Sequence, residues 1–278
     1  MNIQKSIFDE VSLSCSKITT KSYSTSFSLA IKLLNKEYRD AIYSVYGFVR
    51  LADEIVDSFH GYNKKQLLSE LRYSTIEALE KKISLNPIIN SFQKTVKQYN
   101  LEWHLIDSFL ESMEYDLDNN KCSEKTYKKY IAGSAEAVGL MCLQIFSQKG
   151  SIRYEDLEKY ARSLGAAFQK INFLRDLKDD YNNLNRVYFP DLDINNLTEK
   201  EKKLIEDDIK KDFDHAIIGI KLLNKEARKG VFLAYKYYTC LFKKIQNTSS
   251  EKILKKRIRV SNIRKVIILI YAQLRFLI

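Results

Sequence analysis

A chain of 278 residues with 8 Gly and 2 Pro has too little turn-forming material for a many-stranded fold, and its Leu, Ile, Lys, Glu and Ala recur at helical intervals, so an all-α protein is expected. Its 46 Lys and Arg against 35 Asp and Glu leave a formal charge of +11, which suits an anionic partner such as nucleic acid, an acidic membrane surface or a phosphorylated metabolite. Four isolated cysteines (Cys15, Cys122, Cys142, Cys240) and three histidines exclude neither metal nor redox chemistry in general, but they form no zinc set or disulfide framework and point to reduced thiols in the cytoplasm.

The opening "MNIQKSIFDEVSLSC" has no apolar stretch of signal-peptide length. Asn35 predicts an N-cap before "KEYRDAIYSVYGFVRLADEIVDSF", and Asn86-Pro87 predicts another before "IINSFQKTVKQY". Helical periodicity continues through "EWHLIDSFLESMEYDL", "EKTYKKYIAGSAEAVGLMCLQIF" and "YEDLEKYARSLGAAFQKINFLRDLKDDYNN". The longest irregular piece follows, "NLNRVYFPDLDINNL", and connections of this kind often carry function. Thr198-x-x-Glu201 forms a capping box for the next helix, and "VFLAYKYYTCLFKKI" predicts one more. The basic "EKILKKRIRVSNIRK" (251–265) leads into apolar "VIILIYA", which is well short of the ~18 apolar residues of a membrane span. No nucleic-acid motif accompanies that charge, so a solvated helix or a peripheral contact with a membrane is expected there rather than nucleic acid. With no linker, low-complexity tract or fixed repeat, a single domain over residues 1–278 is the simplest organisation.

Within the first long helix, Arg50, Asp53, Glu54 and Asp57 fall at i, i+3, i+4 and i+7 and share one face. Asp53 and Asp57 lie about 6 Å apart along the axis, a like-charge pair that destabilises a helix slightly unless a cation lies between them. Such a stripe is ordinarily the water-facing side of a helix. A second copy changes that reading: Gly165, Gln169, Asn172, Asp176 and Asp180 form another stripe with the same Asp spacing, flanked by Arg175 and Asp179. Carboxylates without nearby His or thiolate favour Mg²⁺, or Mn²⁺, over zinc. Because Mg²⁺ is usually held by one or two carboxylates plus phosphate oxygens, the pairs suggest a diphosphate substrate, with Arg50, Arg175 and Arg186 meeting its remaining charge.

The sequence resembles the squalene/phytoene synthase family of head-to-head prenyl transferases from "YSTSFSLA" (23–30) to "KKRIRV" (255–260). "YGFVRLADEIVD" resembles the first aspartate-rich motif of that family, and "LGAAFQKINFLRDLKDDYNNLNRVYFP" resembles the second. The resemblance implies an isoprenoid synthase fold of helices around a central hydrophobic cavity. Asp53, Asp57, Asn172, Asp176 and Asp180 would hold magnesium on two prenyl diphosphates, and Gln169 would lie beside the second motif. Tyr46 and Arg50 would line the first motif, with Ser26 and Phe27 near the phosphate end. Tyr130 would lie near the reacting carbons, and Arg186, Tyr188, Tyr238 and Arg257 would surround the diphosphates. Three positions depart from the family pattern: Thr25 stands where a Lys is usual, with Lys21 one turn earlier as a substitute, Glu136 stands in the small-residue segment, and Asn185 precedes R-V-Y.

What the resemblance implies for activity is first a phytoene synthase joining two geranylgeranyl diphosphates through a cyclopropyl diphosphate. A squalene or dehydrosqualene synthase using farnesyl diphosphate is the alternative, and NADPH would be a cofactor only for the squalene-forming case. A basic helical binding protein for membrane or nucleic acid is the competing reading from another class.

Overall fold

The computed structural model describes residues 3–117, 123–148, 153–184, 186, 188–190, 192 and 197–275, the side chains of 3, 180–184 and 275 excepted. Every regular element among them is helical: α1 (Ile3–Tyr23), α2 (Thr25–Lys32), α3 (Lys36–Asp57), α4 (Lys64–Lys81), α5 (Pro87–Tyr99), α6 (Trp103–Leu117), α7 (Glu124–Ile131), a π-helical turn (Ala132–Glu136), α8 (Ala137–Ser147), α9 (Tyr154–Leu184), α10 (Glu199–Leu222), α11 (Lys225–Gln246), α12 (Ser250–Ile253) and α13 (Asn262–Arg275).

The expected caps are in place. Asn35 accepts from the Glu37 amide and Asn86 from the Ile88 amide, with Pro87 in the first turn of α5. In the capping box of α10, the Glu201 amide donates to Thr198 Oγ1 at 3.2 Å and the Thr198 amide donates back to Glu201 Oε2 at 2.9 Å. Hydrophobic periodicity did not disclose α1, because the stripe it buries is polar. Ser12, Ser16 and Thr20 are fully buried; Ser16 Oγ lies 2.7 Å from Ser91 Oγ, and Asn90 Nδ2 donates to Ser12 Oγ at 3.0 Å. A Cβ on Gly47 would sit 2.7 Å from Ser16 Oγ, so small residues on both sides let α1 and α3 approach closely.

Phe48 of α3 stacks on Phe92 of α5 at 4.0 Å in the larger apolar cluster. A second cluster joins α7, α9, α10 and α11, and a third joins α2, α11 and α13. The continuous helical run Glu124–Ser147 is long and apolar enough to cross a membrane by composition, but 56% of its apolar window is buried inside the fold. It packs against α6 and α9 as a core element.

These clusters enclose a cavity of about 680 Å³. Along α3 its lining passes from Ile42, Val45 and Val49 to Arg50, Asp53 and Asp57; along α9 it passes from Leu157, Ala161 and Leu164 to Asn172, Asp176 and Asp179. Both helices thus grade from an apolar first half to a charged last half. At 1.5 Å per residue, the α3 wall alone spans about 22 Å. Leu34, Phe146 and Leu223 close the apolar end.

Candidate active site

Two polar walls face the cavity at its charged end. On α3, Arg50 pairs with Glu54, lies 3.9 Å from Asp53 and holds its guanidinium 4.1 Å from the centre of the Tyr23 ring. Asp57 accepts from Arg186 Nη1 at 2.7 Å, which ties α3 to the irregular segment after α9. Arg186 also approaches Asp116 at 3.9 Å. Asp116, buried on α6, accepts from Tyr130 Oη at 2.6 Å and Tyr188 Oη at 3.0 Å.

The second wall lies on α9. Tyr238 Oη donates to Asn172 Oδ1 at 3.3 Å, and Asn172 Nδ2 donates to Gln169 Oε1 at 3.4 Å. Arg175 and Arg257 both hold Asp176, at 2.5 and 2.7 Å. Asp179 lines the cavity beside them. The Asp180 side chain and Asn185 lie outside the described residues.

Burial dominates the electrostatics of the first wall. Burial, and then repulsion by Asp57, pushes the Asp53 carboxyl up to about 7 against the pull of Arg50. The Asp53 side chain keeps 32% of its surface open toward the cavity it lines. Burial raises Asp116 to about 6 despite Arg186. Burial and the Asp116 charge push the Tyr130 hydroxyl well above its ordinary value, so it is a neutral donor.

The residue types fit a hard divalent cation. Every candidate ligand is an oxygen donor, and burial, followed by the Asp57 charge, is what raises the Asp53 carboxyl. Among the described residues, no three His, Cys, Asp or Glu side chains are grouped to hold an ion.

Aromatic faces separate the walls from the apolar end. Phe168 stacks on Tyr238 at 3.8 Å, with Phe27 edging both and lying 5.8 Å from Tyr46. Opposite, Phe173 stacks on Tyr188 at 4.2 Å beside Tyr130. The π-helical turn contributes Ser134 and Ala135 to the lining, and Gly165 abuts it: a Cβ there would lie 2.6 Å from the Ala135 carbonyl oxygen.

Of the expected residues, Asp53, Asp57, Asp176, Phe27, Tyr46, Arg50, Gln169, Asn172, Arg175, Arg186, Tyr130, Tyr188, Tyr238 and Arg257 line one cavity. Ser26 does not. Phe27, Ala30 and Ile31 form the α2 face toward the cavity, and Ser26 falls off that face; Ser24, the N-cap of α2, lines it instead. Lys21, the expected substitute for the Lys usual at Thr25, is exposed and does not line the cavity. Lys265 of α13 donates to Thr25 Oγ1 at 3.0 Å. Burial and the nearby Arg175 charge hold its pKa below the ordinary lysine value. Glu136 turns away to Arg162 at 3.3 Å. Sequence reasoning missed Asp116, Tyr23 and Ser24 in the cavity lining, and Lys265 beside Thr25. Only Asp116 carried a signal: it falls on the apolar stripe of Phe109 and Met113 at i+7 and i+3.

The chain matches the squalene/phytoene synthase family over residues 20–264. It is 24% identical to a 4,4'-diapophytoene synthase of Staphylococcus haemolyticus over 88% of this chain and 90% of the relative. It is also 24% identical to a phytoene synthase of Mycobacterium bovis, but over 62% of this chain and 55% of that relative. Its fold superposes on the crystal structure of a dehydrosqualene synthase with a TM-score of 0.79 at 20% identity, over 96% of this chain and 97% of the other. With the family matched over most of its length, the chain belongs to the squalene/phytoene synthase family.

Proposed function

We propose that the protein joins two prenyl diphosphates head to head. The observation that carries this reading is the graded cavity, about 22 Å along its α3 wall, with two polar walls at one end and an apolar lining at the other. The apolar lining of α3, α8 and α9 suits two prenyl tails and keeps water from reactive carbons. Arg50, Arg175, Arg186 and Arg257 suit the diphosphates. Mg²⁺ held by Asp53, Asp57, Asn172 and Asp176 would neutralise charge on the departing diphosphate.

The C1–O bond of one substrate breaks with its electron pair leaving on diphosphate. The stacked pairs Phe168–Tyr238 and Phe173–Tyr188 would shield the allylic cation that remains. The double bond of the second substrate attacks that carbon, and proton loss closes a cyclopropane. A second ionisation, rearrangement and proton loss give a symmetric polyene without a reductant. As a neutral donor, Tyr130 can take up a proton only by passing its own to Asp116, whose pKa of about 6 suits that transfer.

For chain length we favour farnesyl diphosphate and a dehydrosqualene-type product, because the diapophytoene synthase aligns over nearly all of both chains. Geranylgeranyl diphosphate and phytoene are the second reading, supported by the partial match to a phytoene synthase. Incubation with Mg²⁺ and each prenyl diphosphate, with and without NADPH, tests both levels. A dehydrosqualene product from farnesyl diphosphate alone is expected. Phytoene as the preferred product would overturn the chain length only, and no condensed product from either substrate would overturn the enzyme reading.

A further inference from the structure

Helix α13 is amphipathic on the wrong side for a helix at the edge of a globular fold. Its inner face is thin: Ile268 and Ala272 are buried against the cluster that contains Ala30 and Leu233. Its outer face carries Ile263, Val266, Ile267, Ile270, Tyr271 and Leu274, between 48% and 76% exposed. Those positions run i, i+3, i+4, i+7, i+8 and i+11, an unbroken apolar stripe along the whole helix. Exposed apolar side chains scattered singly need no explanation, but a continuous stripe marks a contact surface.

Charge identifies the occupant. The segment leading into the stripe, residues 251–265, contains Lys252, Lys255, Lys256, Arg257, Arg259, Arg264 and Lys265 against a single acid, Glu251. Arg257 and Lys255 are engaged by Asp176 and Glu251. Lys256, Arg259 and Arg264 are exposed, with no carboxylate paired to them among the described residues. A basic approach beside an apolar helical face is the complement of an anionic bilayer: acyl chains take the stripe and headgroups meet the cations. A second copy of the chain fits less well. A helix of 14 residues is about 21 Å long, and its stripe of six apolar side chains is small beside the roughly 20–30 residues a side of a stable interface.

We propose that α13 is a membrane-docking helix that lies in the plane of an anionic lipid surface. The helix is fixed to the body by Tyr237 Oη donating to the Lys265 carbonyl at 3.1 Å and by Lys265 Nζ at Thr25. Docking therefore presents the intact protein, with the charged end of the cavity held in a set relation to the lipid. The proposal rests on the exposed stripe and its cations and stands whichever prenyl substrate is used.

Cosedimentation of the whole protein with phosphatidylglycerol-containing vesicles, against pure phosphatidylcholine vesicles, tests it. Binding to the anionic vesicles that weakens as salt rises is expected. The double variant Ile267→Ser/Ile270→Ser, and separately Lys256→Ala/Arg259→Ala/Arg264→Ala, should each lower the partition coefficient roughly tenfold or more, with circular dichroism unchanged. Failure of the wild type to bind either vesicle, or equal binding by both variants, would overturn the proposal. So would a dimer in sedimentation velocity that the isoleucine variant converts to monomer, since a second copy would then cover the stripe.

Discussion

Tyr130 Oη donates to Asp116 Oδ2 across 2.6 Å, joining the end of α7, just before the π-helical turn, to a buried carboxylate on α6. Asp116 holds Tyr188 as well and approaches Arg186, so one acid organises the first wall. Its folded-state pKa of about 6 lies above the ordinary 3.8, and the native protein keeps that proton to higher pH than the unfolded chain does. The resulting destabilisation is absent below about pH 4 and complete above about pH 6. Asp116→Asn should therefore stabilise the metal-free protein by roughly 1–3 kcal/mol at pH 7, the Arg186 attraction being already contained in that shift, and by nothing at pH 4. Turnover should fall at least tenfold. Urea denaturation at both pH values and steady-state assays check this; an equal change at the two pH values would contradict it.

Asp53→Ala and Asp176→Ala should each lower Mg²⁺-dependent turnover by roughly a hundredfold or more, with far-ultraviolet circular dichroism unchanged. The helices carrying them do not depend on these side chains: α3 is capped by Asn35 and buries Phe48, Ala52 and Val56 on its other faces. Removing Asp53 also relieves its repulsion with Asp57, so that variant should melt no lower than wild type. Full activity in either variant would return its stripe to a solvated face.

What could be read from residues alone follows from which interactions are local. Caps at Asn35, Asn86 and Thr198 bond within three residues of themselves, and the two aspartate stripes each lie on one helix, so spacing disclosed them. Helix α1 stayed hidden because it buries Ser12, Ser16 and Thr20 instead of an apolar stripe. The meeting of Asp57 with Arg186 spans 129 positions and that of Thr25 with Lys265 spans 240; no local pattern encodes such a pair. Ser26 was misplaced by one helical step, because the face α2 shows the cavity is set by Phe27 and Ile31 packing on other helices.

Lys265 faces Thr25 and Arg175 with no carboxylate paired to it among the described residues, which suits a phosphate oxygen between them. Lys265→Ala should raise KM for the prenyl diphosphate about tenfold, the loss of one charge-assisted hydrogen bond of roughly 1.4 kcal/mol, with kcat little changed. Adding Thr25→Lys to that variant should recover most of the loss by supplying the cation from α2. A KM that neither substitution moves would remove Lys265 from the substrate's surroundings.

Cys142 lines the apolar half of the cavity on α8, and burial pushes its thiol up to about 12, so it acts there as a small apolar group. Cys142→Phe should fill space otherwise open to a prenyl tail. Turnover should fall more for geranylgeranyl than for farnesyl diphosphate, and Mg²⁺ dependence should be unchanged. Product chromatography from mixed substrates reads the ratio directly; a ratio equal to wild type would place the tail elsewhere.

Gly165 is where α9 meets the π-helical turn, and its lack of a side chain is what permits that contact. A Cβ would lie 2.6 Å from the Ala135 oxygen and 2.9 Å from its carbon, both backbone atoms that cannot rotate away. Gly165→Ala gains helix propensity of about 1 kcal/mol but must push α9 from the turn, an overpacking cost of typically 1–3 kcal/mol. The net effect on stability is small or unfavourable, whereas the effect on geometry is direct: Gln169 and Asn172 lie one and two turns further along the same face. A larger fall in kcat than in stability is therefore expected. Gly61→Ala supplies the contrast. Gly61 has φ +86° and open space around it, so alanine there should cost about 1 kcal/mol through backbone strain and leave kcat unchanged. Equal kinetic effects from the two substitutions would show that Gly165 sets stability alone and not the register of the second wall.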